Sequence, residues 1–285
     1  MLMSFSNDRL WLWLGAACYL AGFALGTLSM ARKKPHSRAV MYFIVGAGYV
    51  FQTMGLYLRG AAVRGCPLGN QFEILQFTGW SATTLYLLVG ATFRLSLLGY
   101  ATSLLSAALA IVSLSIPSLD ATRRVGIFGG NPWIEFHAAL ALFSYGVFAL
   151  LSLTSALFLI RHSSLKNKRL SGAFAFLPSI VDLDHICLRL LITGVGLLAA
   201  SLAVGSVWWF RDTSIVNLSK LLITAGIWLA YAVALALRLG SLLLPKRLAW
   251  VCIILFAAAL ISLWPVDASR NLPPKADSAA GHSPI

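Results

Sequence analysis

Charge is what this sequence lacks. Only 11% of its 285 residues are charged, against roughly 25% in an average soluble domain. A soluble fold of this length needs a polar surface. Nine acidic and 22 basic residues cannot supply one, so lipid must be the solvent for most of it. Cysteine is also scarce: Cys18, Cys66, Cys187 and Cys252 show no CxxC or paired spacing, so no disulfide framework or zinc site can be read from them. Cys18, Cys187 and Cys252 stand in apolar stretches and read as small packing residues. There is no Ser/His/Asp set, Walker loop, HExxH or Gly-rich nucleotide fingerprint, which leaves an independent enzyme activity without residues to carry it. No clear small-residue cleavage site follows the first apolar run, so that run is expected to be a helix and not a signal peptide.

What is there is hydrophobic: 59% of the residues, with a mean hydropathy of +0.83. A membrane span needs about 20 predominantly apolar residues, because the hydrocarbon is about 30 Å thick and a helix rises about 1.5 Å per residue. Eight segments qualify, at 10–30, 39–58, 74–93, 97–116, 137–160, 186–208, 219–239 and 248–264. The runs are continuous and do not alternate, which favours helices over barrel strands. The expected fold class is therefore all-α, a polytopic transmembrane helical bundle of about eight spans. It forms one domain over residues 1–264, followed by a Pro/Ala/Ser-rich tail, 265–285, that reads as disordered.

The net charge of +13 would point to nucleic acid in a soluble chain. Here it points to membrane lipid, because basic residues of membrane proteins collect in loops, set orientation and meet anionic headgroups. With both termini outside, thirteen of the 22 Lys and Arg residues fall on the inner side, including the clusters at 32–38 and 161–169. The expected orientation is thus N-out, C-out.

Of the five histidines, only His137 stands at an outer helix end, just after Asn131-Pro132-Trp133-Ile134-Glu135-Phe136. Such a residue is either a hydrogen-bonded interfacial side chain or an axial ligand for haem iron, which imidazole suits. Trp133, Trp208 and Trp209 share that outer level. They read either as an aromatic belt or as the flat apolar wall a porphyrin needs. Arg123, Arg124 and Arg211 could pair with haem propionates or with lipid phosphates. Cys66-Pro67 is a weak second candidate for iron, through the thiolate. Glu73, at the start of the third span, would cost several kcal/mol if buried unpaired. It is expected to bond Arg59, Arg64 or a neighbouring backbone group in a structural role.

Several segments resemble the membrane-embedded cytochrome c assembly family, the tryptophan-rich haem-handling group with its CcsA-type and HemX-type members. Cys66-Pro67-Leu68-Gly69-Asn70-Gln71-Phe72-Glu73 resembles the family's PLSN-x-(Y/F)-E stretch, and His137 through Ser144-Tyr145 its H-x6-SY helix. Leu183-Asp184 through Arg189 resembles its LD-x-x-x-x-R helix start, and Lys220 through Ala232 the helix after its haem loop. The matches run in order over about 60–240, and an eight-span count suits the HemX-like branch.

The resemblance implies a component of cytochrome c biogenesis in the bacterial inner membrane. It would present haem on the outer face beside other assembly subunits and an apocytochrome, acting at most as part of a haem-lyase-type machine. The implied site is His137 as metal ligand, with Trp133, Trp208, Trp209 and Arg211 holding the cofactor. The sequence departs from the family in three places. The loop after the sixth span, Val207–Asn217, is far shorter than the family's haem loop; no histidine follows the seventh span at Arg238-Leu239-Gly240-Ser241; and Gly65-Cys66 stand where a histidine precedes Pro-Leu. A second axial ligand would then be water, Cys66 or a partner's group. Two other functions are compatible with the sequence: a HemX-like regulatory or scaffolding protein without haem, and a small-molecule transporter. The transporter reading lacks intramembrane charges in spans 1, 2, 4 and 8.

Overall fold

The computed structural model describes residues 5–32, 37–93, 96–121, 125, 131–166, 179–209 and 218–268. Each of the eight apolar segments coincides with a helix. These are α1 (Phe5–Ala31), α2 (Arg38–Val63), α3 (Gln71–Phe93), α4 (Ser96–Ser115), α5 (Pro132–Lys166), α6 (Ile180–Trp209), α7 (Leu218–Leu239) and α8 (Pro245–Ala268), with one 3-10 turn at Pro117–Asp120 after α4. Among the described residues there is no strand. Among the described residues six helices, α1, α2, α4, α5, α6 and α7, are long and apolar enough to cross a bilayer. The protein is a polytopic helical membrane bundle.

The polar composition of α3 has a physical reason. Its polar side chains face protein, where Gln76, Thr78, Ser81 and Thr83 are all buried. Gln52 of α2 donates to Gln76 Oε1 at 2.9 Å, Gln76 donates to Ser113 Oγ of α4 at 2.8 Å, and Tyr19 of α1 donates to Gln52 Oε1 at 2.8 Å. The Thr83 and Ser106 hydroxyls lie 2.8 Å apart. In hydrocarbon these groups have no water to bond, so partners on neighbouring helices hold the first four helices in register.

α1 packs on α2 and α4, and α3 on α4; α5 packs on α6 and α8, and α7 leans on α6 and α8. The two groups of four meet where α3 crosses α5. Gly146 makes that crossing possible: a Cβ there would lie 1.7 Å from Ser81 Oγ and 2.9 Å from the Ala82 backbone nitrogen. Gly146→Ala is therefore expected to destabilise the protein by about 1–3 kcal/mol through overpacking. Gly196→Ala, where a Cβ meets nothing within 4 Å, should leave the thermal transition in detergent unchanged. In the second group, the Phe148 and Tyr231 rings stack with centroids 3.8 Å apart.

Successive helices run antiparallel, so the start of α1, the end of α2, the starts of α3 and α5 and the end of α6 all lie at one end of the bundle. The opposite end carries the ion pair Arg238 Nη2–Asp184 Oδ2 at 2.5 Å, which ties the end of α7 to the start of α6.

Candidate functional site

The first end of the bundle is organised around a buried cation. The second apolar segment ends at residue 58, yet α2 continues to Val63 and the Arg59 side chain is 0% exposed. A guanidinium stays charged under all ordinary conditions, so its burial requires partners for every face. They come from three other segments. Arg59 Nη1 bonds Asp8 Oδ2 of α1 at 3.1 Å, and Nη2 bonds Asp120 Oδ1 of the 3-10 turn at 2.5 Å. Nε and Nη2 both reach Glu73 Oε1 of α3, at 3.2 and 3.1 Å. The Phe72 ring lies under the guanidinium carbon at 4.3 Å, a cation–π contact strengthened by desolvation. Arg9, partly exposed, bonds Asp120 Oδ2 at 3.4 Å and the Leu114 carbonyl at 2.9 Å.

Glu73 carries this order into the adjoining segment. Its Oε2 accepts the Gly69 backbone N–H at 2.6 Å, while Asn70 Oδ1 caps α3 by accepting the Glu73 N–H at 2.9 Å. The structural role expected of Glu73 thus has its partners in Arg59 and the backbone; Arg64 instead closes α2 in the left-handed region, with φ 54°. Further along the same segment, Glu135 Oε2 of α5 accepts the Cys66 N–H at 3.3 Å. A Cβ at Gly65 would lie 2.6 Å from Glu135 Oε1, so a side chain there would displace that carboxylate. The ionic knot is therefore mechanically continuous with the start of α5.

Two residues beyond Glu135 stands His137, half-buried. Its Nδ1 lies 2.6 Å from the Ser201 carbonyl oxygen and 3.0 Å from Ser201 Oγ, while Ser201 Oγ donates to the His137 carbonyl at 2.9 Å. A carbonyl accepts only, so Nδ1 carries a proton, and in the neutral ring the lone pair lies on Nε2. Among the described residues Nε2 makes no hydrogen bond. The ring rests against Gly205, where a Cβ would fall 2.7 Å from Cε1. A backbone carbonyl on one ring nitrogen and a free lone pair on the other is the arrangement that metal-ligating imidazoles use.

Trp133, one turn before His137 on α5, is 60% exposed. Trp208 and Trp209 end α6, three and four residues beyond Gly205. Arg211 lies outside the described residues, as do Arg123 and Arg124. Among the described residues no group of three or more His, Cys, Asp or Glu side chains converges as a metal cage, so His137 offers a single imidazole. Sequence reasoning missed Ser201 and Gly205, which set the ring, and Asp8 and Asp120, which complete the knot.

Cys66 is free, and its thiol is pushed up to about 11 by burial and by the charges of Glu135 and Glu73. At pH 7 about one thiol in ten thousand is then ionised, which makes Cys66 a poor iron ligand near neutrality. Its alkylation should be slow at pH 7.5 and rise about tenfold per pH unit until about pH 11. Glu135→Gln should speed it at a fixed pH. A rate that levels off near pH 8.5 would contradict this.

A polytopic helical membrane protein with an imidazole fixed at one bundle end, beside a buried ionic knot, is the class this architecture defines. The chain matches the family model described as cytochrome C assembly protein over residues 68–271. That covers well over half of it, and the chain belongs to that family. It is similar to Protein HemX of Brevibacillus brevis, 29% identical over 53% of this chain and 56% of that protein. It is also similar to Protein HemX of Bacillus subtilis (strain 168), 25% identical over 50% and 51%, and to the cytochrome c biogenesis protein CcsA of Chlamydomonas reinhardtii, 29% identical over 60% and 49%. The chain thus spans about half the length of the curated relatives it matches.

Proposed function

We propose that this protein holds haem at the outer face of a bacterial inner membrane during assembly of c-type cytochromes, working beside other assembly subunits and the apocytochrome. The observation that carries this reading is the contact of His137 Nδ1 with the Ser201 carbonyl at 2.6 Å, which in the neutral imidazole leaves Nε2 as the basic nitrogen that haem iron takes. Trp133, Trp208 and Trp209 would give the macrocycle an apolar wall, and Arg211 a cation for a propionate. When bound, haem supplies the vinyl carbons to which cytochrome thiols add. The chain's own share is positioning: Ser201 and Gly205 set the imidazole, and the Arg59 knot, through Glu73 and Glu135, sets the end of the bundle on which it stands. The N-out, C-out orientation, which the distribution of Lys and Arg supports, places this end outside.

A second reading, a HemX-like regulatory scaffold without haem, is favoured by the reciprocal bonds between His137 and Ser201, which give the imidazole a structural use in joining α5 to α6. Complementation separates the two. In cells lacking this protein, His137→Ala should fail to restore covalent haem in membrane cytochromes while reaching wild-type abundance. A loss of abundance that matches the loss of covalent haem would select the scaffold, and full restoration by His137→Ala would overturn the haem reading.

A further inference from the structure

The opposite end of the bundle holds a second feature, independent of the haem reading. α7 is thinly covered, with Leu222, Leu229, Val233 and Leu239 all exposed. Between it and α8 runs a laterally open groove of about 440 Å³, lined by apolar residues alone. Gly226, Ala230 and Ala234 of α7 form its floor and Val251 and Leu255 of α8 one wall, with Leu243 of the connecting turn at one end. A Cβ at Gly226 would meet nothing within 4 Å, so the floor there is vacant.

Both rows of lining residues end in arginine. The four-residue spacing of Gly226, Ala230 and Ala234 continues to Arg238, and that of Leu255 and Val251 runs back to Arg247; residues four apart share a helix face. Arg238 is held in place by Asp184 Oδ2 at 2.5 Å and by the Leu243 carbonyl at 3.2 Å. Arg247 and its neighbour Lys246 are exposed, and Trp250, one turn into α8, is 54% exposed, as an interfacial aromatic would be.

Charge decides the occupant. The groove opens sideways and is apolar throughout. Gly226 to Leu237 is about 16 Å of helix at 1.5 Å per residue, about half the hydrocarbon thickness of about 30 Å, a length that suits an acyl chain of one leaflet. A second copy of this chain, at +13, would bring like charge to the exposed Arg247 and Lys246 at its mouth, whereas an anionic headgroup complements them.

We propose that the α7–α8 groove is a binding site for an anionic phospholipid, with one acyl chain along Gly226-Ala230-Ala234 and the phosphate at Arg247, assisted by Lys246. Guanidinium suits phosphate because it donates two parallel hydrogen bonds.

Native mass spectrometry of the full chain, released from detergent after titration with phosphatidylglycerol or with phosphatidylcholine of identical acyl chains, tests this. One phosphatidylglycerol should be retained per chain in preference to phosphatidylcholine. Arg247→Gln should weaken retention about tenfold, Ala230→Phe should do the same by filling the groove, and Arg32→Gln, at an exposed arginine just after α1, should change nothing. Equal retention of the two lipids, or an unchanged Arg247→Gln, would overturn the proposal. So would a lipid-free dimer that Ala230→Phe dissolves, which would assign the groove to a second copy. Should Ala230→Phe fold poorly, the lipid comparison and Arg247→Gln decide alone.

Discussion

Arg59→Met is expected to destabilise the protein by about 3–5 kcal/mol, because removing one partner of a buried ionic set leaves the others uncompensated. Asp8, Glu73 and Asp120 would remain at 2%, 2% and 7% side-chain exposure with their common cation gone, while the Arg9 guanidinium pairs with Asp120. Arg59→Lys should recover little. An ammonium offers three donors from a single point, whereas the guanidinium uses all three of its nitrogens, in different directions, on three carboxylates. The loss would show in the thermal transition in detergent. It should be accompanied by faster alkylation of Cys66, since the segment pinned by Gly69 N–H to Glu73 Oε2 is released with the knot. A wild-type transition for Arg59→Met would mean that the knot contributes nothing to the fold.

The second large effect concerns the residues behind His137. Gly205→Val should weaken haem retention by about 10–100-fold, the range typical of losing the support behind a metal-ligating histidine, while α6 stays helical. The mechanism is steric. A Cβ already falls 2.7 Å from Cε1 and 2.8 Å from Nδ1 of His137, so a branched side chain must turn the ring off the Ser201 carbonyl and scramble which nitrogen carries the proton. Ser201→Ala keeps that carbonyl and removes only Oγ, so its effect should lie at the lower end, about tenfold. Equilibrium titration of purified protein with hemin reads both. Equal affinity for Gly205→Val and wild type would show that the ring's placement against α6 has no bearing on haem.

The helices were legible because hydrophobic runs of about 20 residues say the same thing whatever surrounds them. Their order and type follow from the sequence, and His137 stood out as the one histidine that the distribution of Lys and Arg assigns to an outer helix end. What surrounds it did not, for a reason of distance. Ser201 and Gly205 lie more than 60 positions further along the chain, and neither a serine nor a glycine in an apolar helix announces a partner. The Arg59 knot was hidden in the same way. Its carboxylates are 14, 51 and 61 positions away, and an arginine ending an apolar run looks like the start of a loop when its partners are unseen. Only Glu73 pointed toward the knot, through the cost of leaving a carboxylate there unpaired. α3 shows the complementary case: its Gln, Thr and Ser side chains dilute the hydropathy signal, yet they face the interior and hold four helices together.

The central claim is that the His137 imidazole binds haem, and an absorption spectrum of the detergent-purified protein, hemin-loaded, oxidised and then reduced, tests it most directly. Wild type should give a Soret band and reduced-state bands characteristic of imidazole-ligated haem, and His137→Ala, at the same concentration and monodispersity, should lose them. Identical spectra for the two proteins, or wild type that takes up no haem at all, would contradict the account.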